Sequence, residues 1–256
     1  MQNSLPKALE KELKRTVGDD WVITHPERLL AYESDGLTAY RSLPGAVVLP
    51  KDTEEVSQVL GMLSKADVTV VPRGAGTGLS GGALASVNSV VVGTARMKRI
   101  LHLDPRNRIA LVQSGVVNAD LSTAAAPFGL YYAPDPSSQS ACTLGGNVAE
   151  NSGGPHCLKY GVTSRYVTGL TVVAYDGTVL DLGGFGRELG SYDLVGVLVG
   201  SEGCFGLVTE IEVRLLPRPE GVRTILGIFD RIADAGRAVT GIMAEGLLPA
   251  ALEVID

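Results

Sequence analysis

Three glycine clusters constrain this chain more than any other feature: Arg73 to Gly82, Pro134 to Gly161, and Gly200 to Gly206. Backbone without Cβ atoms can turn with φ > 0 and bring its N–H groups close to an anion. Five of the eleven residues from Pro72 to Gly82 are glycine, more than a turn between two strands requires. The remaining chain is 45% hydrophobic and 20% charged over 256 residues, enough to bury a core and too apolar to stay disordered. A formal net charge of -6 gives nucleic-acid binding no electrostatic support. No apolar run approaches the roughly 18 residues of a membrane span. Met1 to Arg15 carries charges at helical spacing, which is not a signal peptide. Cys142, Cys157 and Cys204 form no C-x-x-C pair, and the three histidines form no H-E-x-x-H, so neither a disulfide framework nor a metal or iron–sulfur site is expected. A reducing, cytoplasmic setting is the default expectation.

Periodicity places the clusters between regular elements. Pro6–Val17 reads as an amphipathic helix through Leu9, Leu13 and Val17, and Asp52–Lys65 as a second with Asp52 as N-cap. Strands are expected at Ala46–Leu49, Val68–Val71 and Ser89–Val92, which with the helix make an α/β unit. From Arg99 the pattern changes. Arg99–Leu103 and Arg108–Ser114 flank an Asp-Pro-Arg-Asn turn, and Asn118–Ala126 reads as a helix. Leu170–Tyr175 and Thr178–Leu182 flank Asp176-Gly177, a hairpin signal. Val195–Val199 and Gly206–Leu215 read as strands, Pro217 and Pro219 as a linker. Thr224–Phe229, Ala233–Ala244 and Ala251–Ile255 read as a new β-α-β pattern ending in mid-strand at Asp256.

The first cluster contains Gly76-Thr77-Gly78-Leu79-Ser80-Gly81, which matches G-x-G-x-x-G after a predicted strand. A Rossmann site fails on two counts. Residues 83–88 are too few for the helix that must follow. The position where an acid should hold the ribose is occupied by Arg96, Lys98 and Arg99. No Gly-Lys-Ser/Thr is present, so a Walker loop is excluded. A diphosphate held here is neutralised mainly by amides, with Arg73 as the one charged helper. In the second cluster glycines alternate with short amides at Gly145-Gly146-Asn147, Asn151 and Gly153-Gly154, a pattern that suits close backbone approach together with side-chain hydrogen bonds. Two such loops favour a long ligand, a dinucleotide over a lone phosphate. His156 is either a flavin contact or a plain turn histidine. Glu202 is either a ribose ligand or a solvated turn acid. Cys142 is the cysteine best placed to touch a cofactor.

Val71 to Gly82 resembles the diphosphate loop of the FAD domains of the vanillyl-alcohol oxidase type, also called PCMH-type. The runs Ala133 to Gly154 and Val199 to Gly206 resemble that family's second and third FAD loops. His156-Cys157-Leu158-Lys159-Tyr160-Gly161 points to its glycolate oxidase branch, with D-lactate and D-2-hydroxyglutarate dehydrogenases nearby. The resemblance implies an α+β, two-subdomain FAD-binding domain over 1–216, divided near 103/104. Residues 217–256 would begin a truncated α+β substrate (cap) domain. It implies that Pro72, Arg73, Gly74, Ala75, Gly76, Thr77, Gly78 and Leu79 wrap the diphosphate. Pro134, Asp135, Gly145, Gly146, Asn147, Asn151, Gly153, Gly154, His156, Tyr160 and Gly161 would line the rest of the FAD, and Glu202, Gly203, Gly206 and Val208 the adenine and ribose side. Thr77 stands where some relatives carry a covalently attached histidine, so the FAD is expected to be non-covalent. The implied activity is oxidation of a 2-hydroxy acid of the glycolate or D-lactate type by hydride transfer to flavin. The electrons would pass to an iron–sulfur or second FAD-type subunit, in a cytoplasmic complex peripheral to the inner membrane. The catalytic base and any metal ligands are expected in a further C-terminal part. Two alternatives stand beside this reading: a non-catalytic FAD-binding fragment, and an alcohol or sugar oxidase on the same fold.

Overall fold

Leu9, Leu13 and Val17 fall one turn apart, and all three are buried on one stripe of helix α1 (Lys7–Val17), as the spacing predicts. The computed structural model describes residues 5–184 and 192–255; Met1 and Asp256 lie outside them. Two short elements that periodicity could not reveal follow, β1 (Val22–Ile23) and α2 (Pro26–Leu29). Then come β2 (Ala46–Val48), α3 (Thr53–Lys65), β3 (Val70–Arg73) and β4 (Val90–Gly93). Asp52 caps α3 as expected, its side chain accepting from the Glu55 N–H at 2.9 Å. Val56, Val59, Leu60 and Leu63 are fully buried beneath it. The sheet order is β1-β2-β4-β3, with β2, β4 and β3 parallel and β1 antiparallel at the edge.

The second unit is antiparallel: β5 (Ile100–Asp104), β6 (Ile109–Gln113), β8 (Val167–Val173), β9 (Val179–Gly183) and β10 (Leu207–Arg214), in the order β5-β6-β10-β8-β9. Asp104 Oδ1 closes the β5–β6 turn by accepting from the Arg106 and Asn107 N–H groups. Gly177 takes φ 92 in the predicted β8–β9 hairpin. Helix α4 (Asn118–Ala125) and a short β7 (Leu130–Tyr131) cover one side. The two units meet at α3. Thr53 Oγ1 bonds Thr209 Oγ1 at 2.9 Å, Ser57 donates to the Gly177 carbonyl at 2.5 Å, and Val173 and Leu207 join the core of the first sheet. The architecture is α+β, with the two subunits of the fold pressed together along one line.

Four expectations are corrected. Pro134 to Gly161 is not all loop: it contains α5 (Leu144–Glu150), capped by Thr143, and α6 (Cys157–Tyr160). Gly145 and Gly146 obscured that helix, since glycine is a poor helix former. Val195–Val199, read as a strand, is helix α7 (Leu194–Leu198), with Asp193 Oδ1 accepting from the Gly196 N–H at 2.9 Å. A five-residue apolar run does not distinguish strand from helix, and the cap decides it. Pro217 is not linker but part of β11 (Leu216–Pro217), paired with β7. Beyond it, α8 (Ile232–Ala244) forms as expected, but Thr224–Phe229 and Ala251–Ile255 are not strands. A strand needs a neighbour's backbone to bond, and no described strand lies beside either run. Ile225 is 92% exposed, and no residue of α8 is buried.

Candidate functional site

Strand β3 delivers the first glycine loop to the seam between the two units. Its backbone is held from behind by a segment that sequence reasoning did not single out. Gly36 N–H donates to the Gly78 carbonyl at 2.8 Å. The buried Asp35 carboxylate accepts from Gly81 N–H at 2.9 Å and Leu37 N–H at 2.8 Å. Arg73 is buried and reaches back as well, donating from Nη1 to the carbonyls of Ser34 (2.9 Å) and Ala83 (3.3 Å), with Tyr32 under its guanidinium. Burial pulls the Arg73 pKa down, and Tyr32 and Asp35 oppose that shift. Arg73 therefore braces the loop through backbone carbonyls. Gly76, at φ 72, is where the loop folds over that guanidinium: a Cβ there would meet Nη2 at 2.1 Å.

The second loop docks on the first through α5. Thr143 caps the helix by accepting from Gly146 N–H at 3.3 Å, and a Cβ on Gly74 would lie 2.4 Å from Thr143 Oγ1. Gly145 presses on β6, where a Cβ would stand 2.7 Å from Ser114 Cβ. The third loop hangs from the last turn of α5, with Gly200 N–H bonded to the Val148 carbonyl and Glu202 N–H to Ala149, both at 2.8 Å. Glu202 itself is at φ 53, an uncommon conformation for a residue with a side chain. Tyr175 Oη donates to the Gly203 carbonyl at 2.7 Å, and burial pushes its pKa up to about 12.

The three loops enclose one cleft, with about 1000 Å³ of empty space counted to its open mouth. Of the expected residues, Pro72, Arg73, Gly74, Ala75, Gly76, Thr77, Gly78, Gly145, Gly146, Asn147, Glu202, Gly203, Gly206 and Val208 line it, and so does Cys142. Leu79 does not; it is 66% exposed on the outside of the loop. Pro134, Asp135, Asn151, Gly153, Gly154, His156, Tyr160 and Gly161 lie outside the lining too, in the stretches that flank the lining residues Ser138 and Ser152. They form a connected group of their own. His156 Nδ1 is paired with Asp135 Oδ2, and Gly154 packs on the Asp135 carbonyl. Asn118 Nδ2 donates to Pro134 O at 3.0 Å, and Asn151 Oδ1 accepts from Ser164 N–H at 2.9 Å. Tyr166 Oη donates to Tyr160 O at 2.7 Å, and Gly161 ends α6 at φ 80.

Glu150 and Thr94 were not foreseen as lining residues. Glu150 at the end of α5 and Glu202 in the adjoining third loop converge on Gly82, whose Cβ position is 3.0 Å from one carboxylate and 3.7 Å from the other. Burial raises the Glu150 pKa, and Glu202 and Asp35 raise it further. The cleft fits an extended ligand with acceptor oxygens. Eight of its lining residues are glycine, which leaves backbone open to a ligand along the first and second loops. Among the described residues no group of three or more His, Cys, Asp or Glu is gathered as for a metal, and no helix is long and apolar enough to cross a membrane.

Residues 44–183 match the family described as FAD binding domain. The chain is 50% identical over 230 residues to the glycolate oxidase subunit GlcD of Escherichia coli K12, covering 90% of this chain and 46% of that protein. It is 43% identical to the GlcD subunit of Bacillus subtilis, over 89% of this chain and 48% of that protein. To a D-lactate dehydrogenase of Anaerostipes hadrus it is 35% identical, over 88% and 48%. The chain spans about half the length of the curated relatives it matches. Among solved structures, alkyldihydroxyacetonephosphate synthase superposes with a TM-score of 0.84 at 24% identity, over 95% of this chain and 50% of that one. p-Cresol methylhydroxylase superposes at 0.78 and 20%, over 92% and 48%. At those identities the superpositions establish the fold alone, and it is the expected one.

Proposed function

The chain belongs to the FAD binding domain family, with FAD as its cofactor, and on that premise we propose that it is the cofactor-binding half of an FAD-dependent 2-hydroxy-acid oxidoreductase. The observation that carries the reading is the convergence of all three glycine loops on one cleft. Bound there, FAD supplies a two-electron acceptor for the hydride of a substrate α-carbon. The chain's own share is to hold and orient it. Backbone amides of the first loop would hold the diphosphate, and the loop is kept in register by Asp35, Gly36 and Arg73. Glu202 and Val208 close the other side. Nothing at Thr77 offers a nucleophile of the kind that links flavin to protein through histidine, so the FAD is held non-covalently. The rim group, Asp135, His156 and Tyr160 with the glycines between them, would hold the part of the FAD that extends beyond the cleft.

The substrate reading is supported by the glycolate oxidase and D-lactate dehydrogenase relatives. That the glycolate oxidase relatives are subunits of a larger enzyme supports transfer of the electrons to a partner chain. Residues 1–216 would be the cofactor unit and 217–256 the opening of a substrate unit. The test is anaerobic titration of the flavin-loaded protein with glycolate, D-lactate, a simple alcohol and a sugar. Bleaching of the visible flavin band by a 2-hydroxy acid alone is expected. Bleaching by alcohol or sugar, or by none of them while flavin stays bound, overturns the activity and leaves the cofactor reading intact.

A further inference from the structure

One end of the antiparallel sheet is basic, in a chain whose net charge is -6. Strand β10 starts in the wall of the cleft at Leu207 and Val208 and ends at Arg214. Arg214 is paired with Ile109, the first residue of β6, and Leu215 N–H donates to Arg108 O at 2.7 Å, so Arg108 stands beside it. On the other side Val213 is paired with Val167, the first residue of β8. There Arg214 N–H donates to Tyr166 O at 2.8 Å, which brings up Arg165. Arg106 lies in the β5–β6 turn at the same end, since Asp104 is paired with Ile109. All four arginines are exposed.

None of the four has a carboxylate partner among the described residues. The acids nearby are engaged elsewhere. Asp104 turns its carboxylate onto Arg106 N–H, Asn107 N–H and Asn107 Nδ2, and Glu212 accepts from Thr168 Oγ1 at 2.7 Å. Burial raises the Tyr166 pKa, and the charges of Arg165 and Arg214 both oppose it, so the two guanidiniums stand near one hydroxyl. The basic end also adjoins the rim group. Arg165 Cδ is 2.9 Å from the Cβ position of Gly161, which ends α6, and Ser164 N–H donates to Asn151 Oδ1 at 2.9 Å. Charges more than about 8 Å apart in water are largely screened at physiological salt, so a molecule arriving here meets the arginines and not the net charge. Arginine is enriched at protein interfaces, and its complement there is an acidic face.

We propose that the end of the sheet carrying Arg108, Arg165 and Arg214 docks an acidic protein that takes electrons from the flavin, which rests on the reading that they pass to a partner chain. An iron–sulfur or haem protein seated there would oxidise FADH2 to FAD, taking two electrons one at a time while two protons pass to solvent. Cytochrome c and its succinylated form are the probes: they share a haem, but succinylation turns the basic lysines into carboxylates. Binding to the apoprotein is measured first. The succinylated protein should bind more tightly than native cytochrome c, the reverse of what a net charge of -6 dictates. That binding should weaken at least tenfold as salt rises from about 10 mM to about 150 mM and the Debye length falls from about 30 Å to about 8 Å. The triple variant Arg108→Glu, Arg165→Glu, Arg214→Glu should bind the succinylated protein at least tenfold more weakly, with circular dichroism and melting unchanged. Lys7→Glu with Lys11→Glu, on α1 of the other unit, alters net charge alone and should change it little. With FAD loaded and reduced by dithionite, the succinylated haem should be reduced faster than the native one. The triple variant should lose that advantage and keep its rate with benzoquinone, a neutral acceptor.

Tighter binding of native cytochrome c, or a triple variant that binds the succinylated protein like wild type, overturns the docking surface. A short DNA duplex that binds with the same arginine dependence, where the succinylated protein does not bind, overturns a protein as the occupant. Reduced flavin that passes electrons to benzoquinone and to neither haem, although the succinylated protein binds, overturns the electron-accepting role. A chain that cannot be loaded with FAD overturns the cofactor reading, while binding to the apoprotein still decides the surface.

Discussion

Replacing Gly36 by alanine tests whether the first glycine loop is shaped from behind. A Cβ at Gly36 would stand 2.7 Å from Thr77 O and 2.9 Å from Gly78 O, both backbone atoms that cannot rotate away. Ordinary carbon contacts need about 3.5–4.0 Å, so the loop must retreat by about 0.5–1 Å. It would also strain the Gly36–Gly78 hydrogen bond. Overpacking of this kind costs about 1–3 kcal/mol. At about 2–4 °C per kcal/mol for a chain of this size, the apoprotein should melt about 2–12 °C lower. If cofactor binding must restore the loop, the same energy appears in affinity as a rise of about 5- to 150-fold in the FAD Kd. Thermal melting and fluorescence titration with FAD measure the two. Gly78→Ala is the control: nothing lies within 4 Å of its Cβ, so its melting should match wild type, and any loss of affinity there comes from the methyl entering the cleft. A Gly36→Ala chain that melts and binds FAD like wild type would refute the bracing argument.

Three further predictions concern charge and capping. Glu150 has a pKa raised by burial and by Glu202 and Asp35, so its contribution to stability is full below the ordinary carboxylate value of about 4.5 and is lost as pH rises through the raised one. Glu150→Gln should therefore raise the melting temperature at neutral pH and flatten its decline above about pH 4.5; a melting profile parallel to wild type across that window contradicts the assignment. FAD binding, which brings a dianionic diphosphate near the same carboxylates, should tighten as pH falls, and less so in Glu150→Gln. Asp52→Ala removes the N-cap of α3 and should cost about 1 kcal/mol, or about 2–4 °C, with no change in the spectrum of bound flavin.

Local chemistry made much of this fold legible. Asp52 announced α3, Asp176-Gly177 the β8–β9 hairpin, and the Asp104 turn the β5–β6 pair, because in each case the deciding hydrogen bond is made within a few residues. The loops were legible for the same reason, since glycine density is a local property. What escaped depended on distant partners. The helix α5 survives Gly145 and Gly146 because those glycines let it sit against Ser114 and Thr143. The supports Asp35 and Gly36 lie some forty residues before the atoms they hold, and nothing around them looks unusual in sequence. Glu150 and Thr94 look like ordinary helix-end and strand-end residues until β4 and α5 are brought to one cleft. In the other direction, apolar periodicity promised strands at Thr224–Phe229 and Ala251–Ile255 that have no pairing edge among the described residues.

The central claim is that this cleft holds FAD without a covalent bond. The visible absorption spectrum of the purified chain, taken before and after acid precipitation and beside a circular dichroism spectrum of the same sample, tests it most directly. The account predicts flavin bands on the folded protein that move wholly into the acid supernatant and return to the protein when FAD is added back. Flavin that stays in the pellet contradicts the non-covalent site. A well-folded chain that is colourless and cannot be loaded with FAD contradicts the cofactor assignment itself.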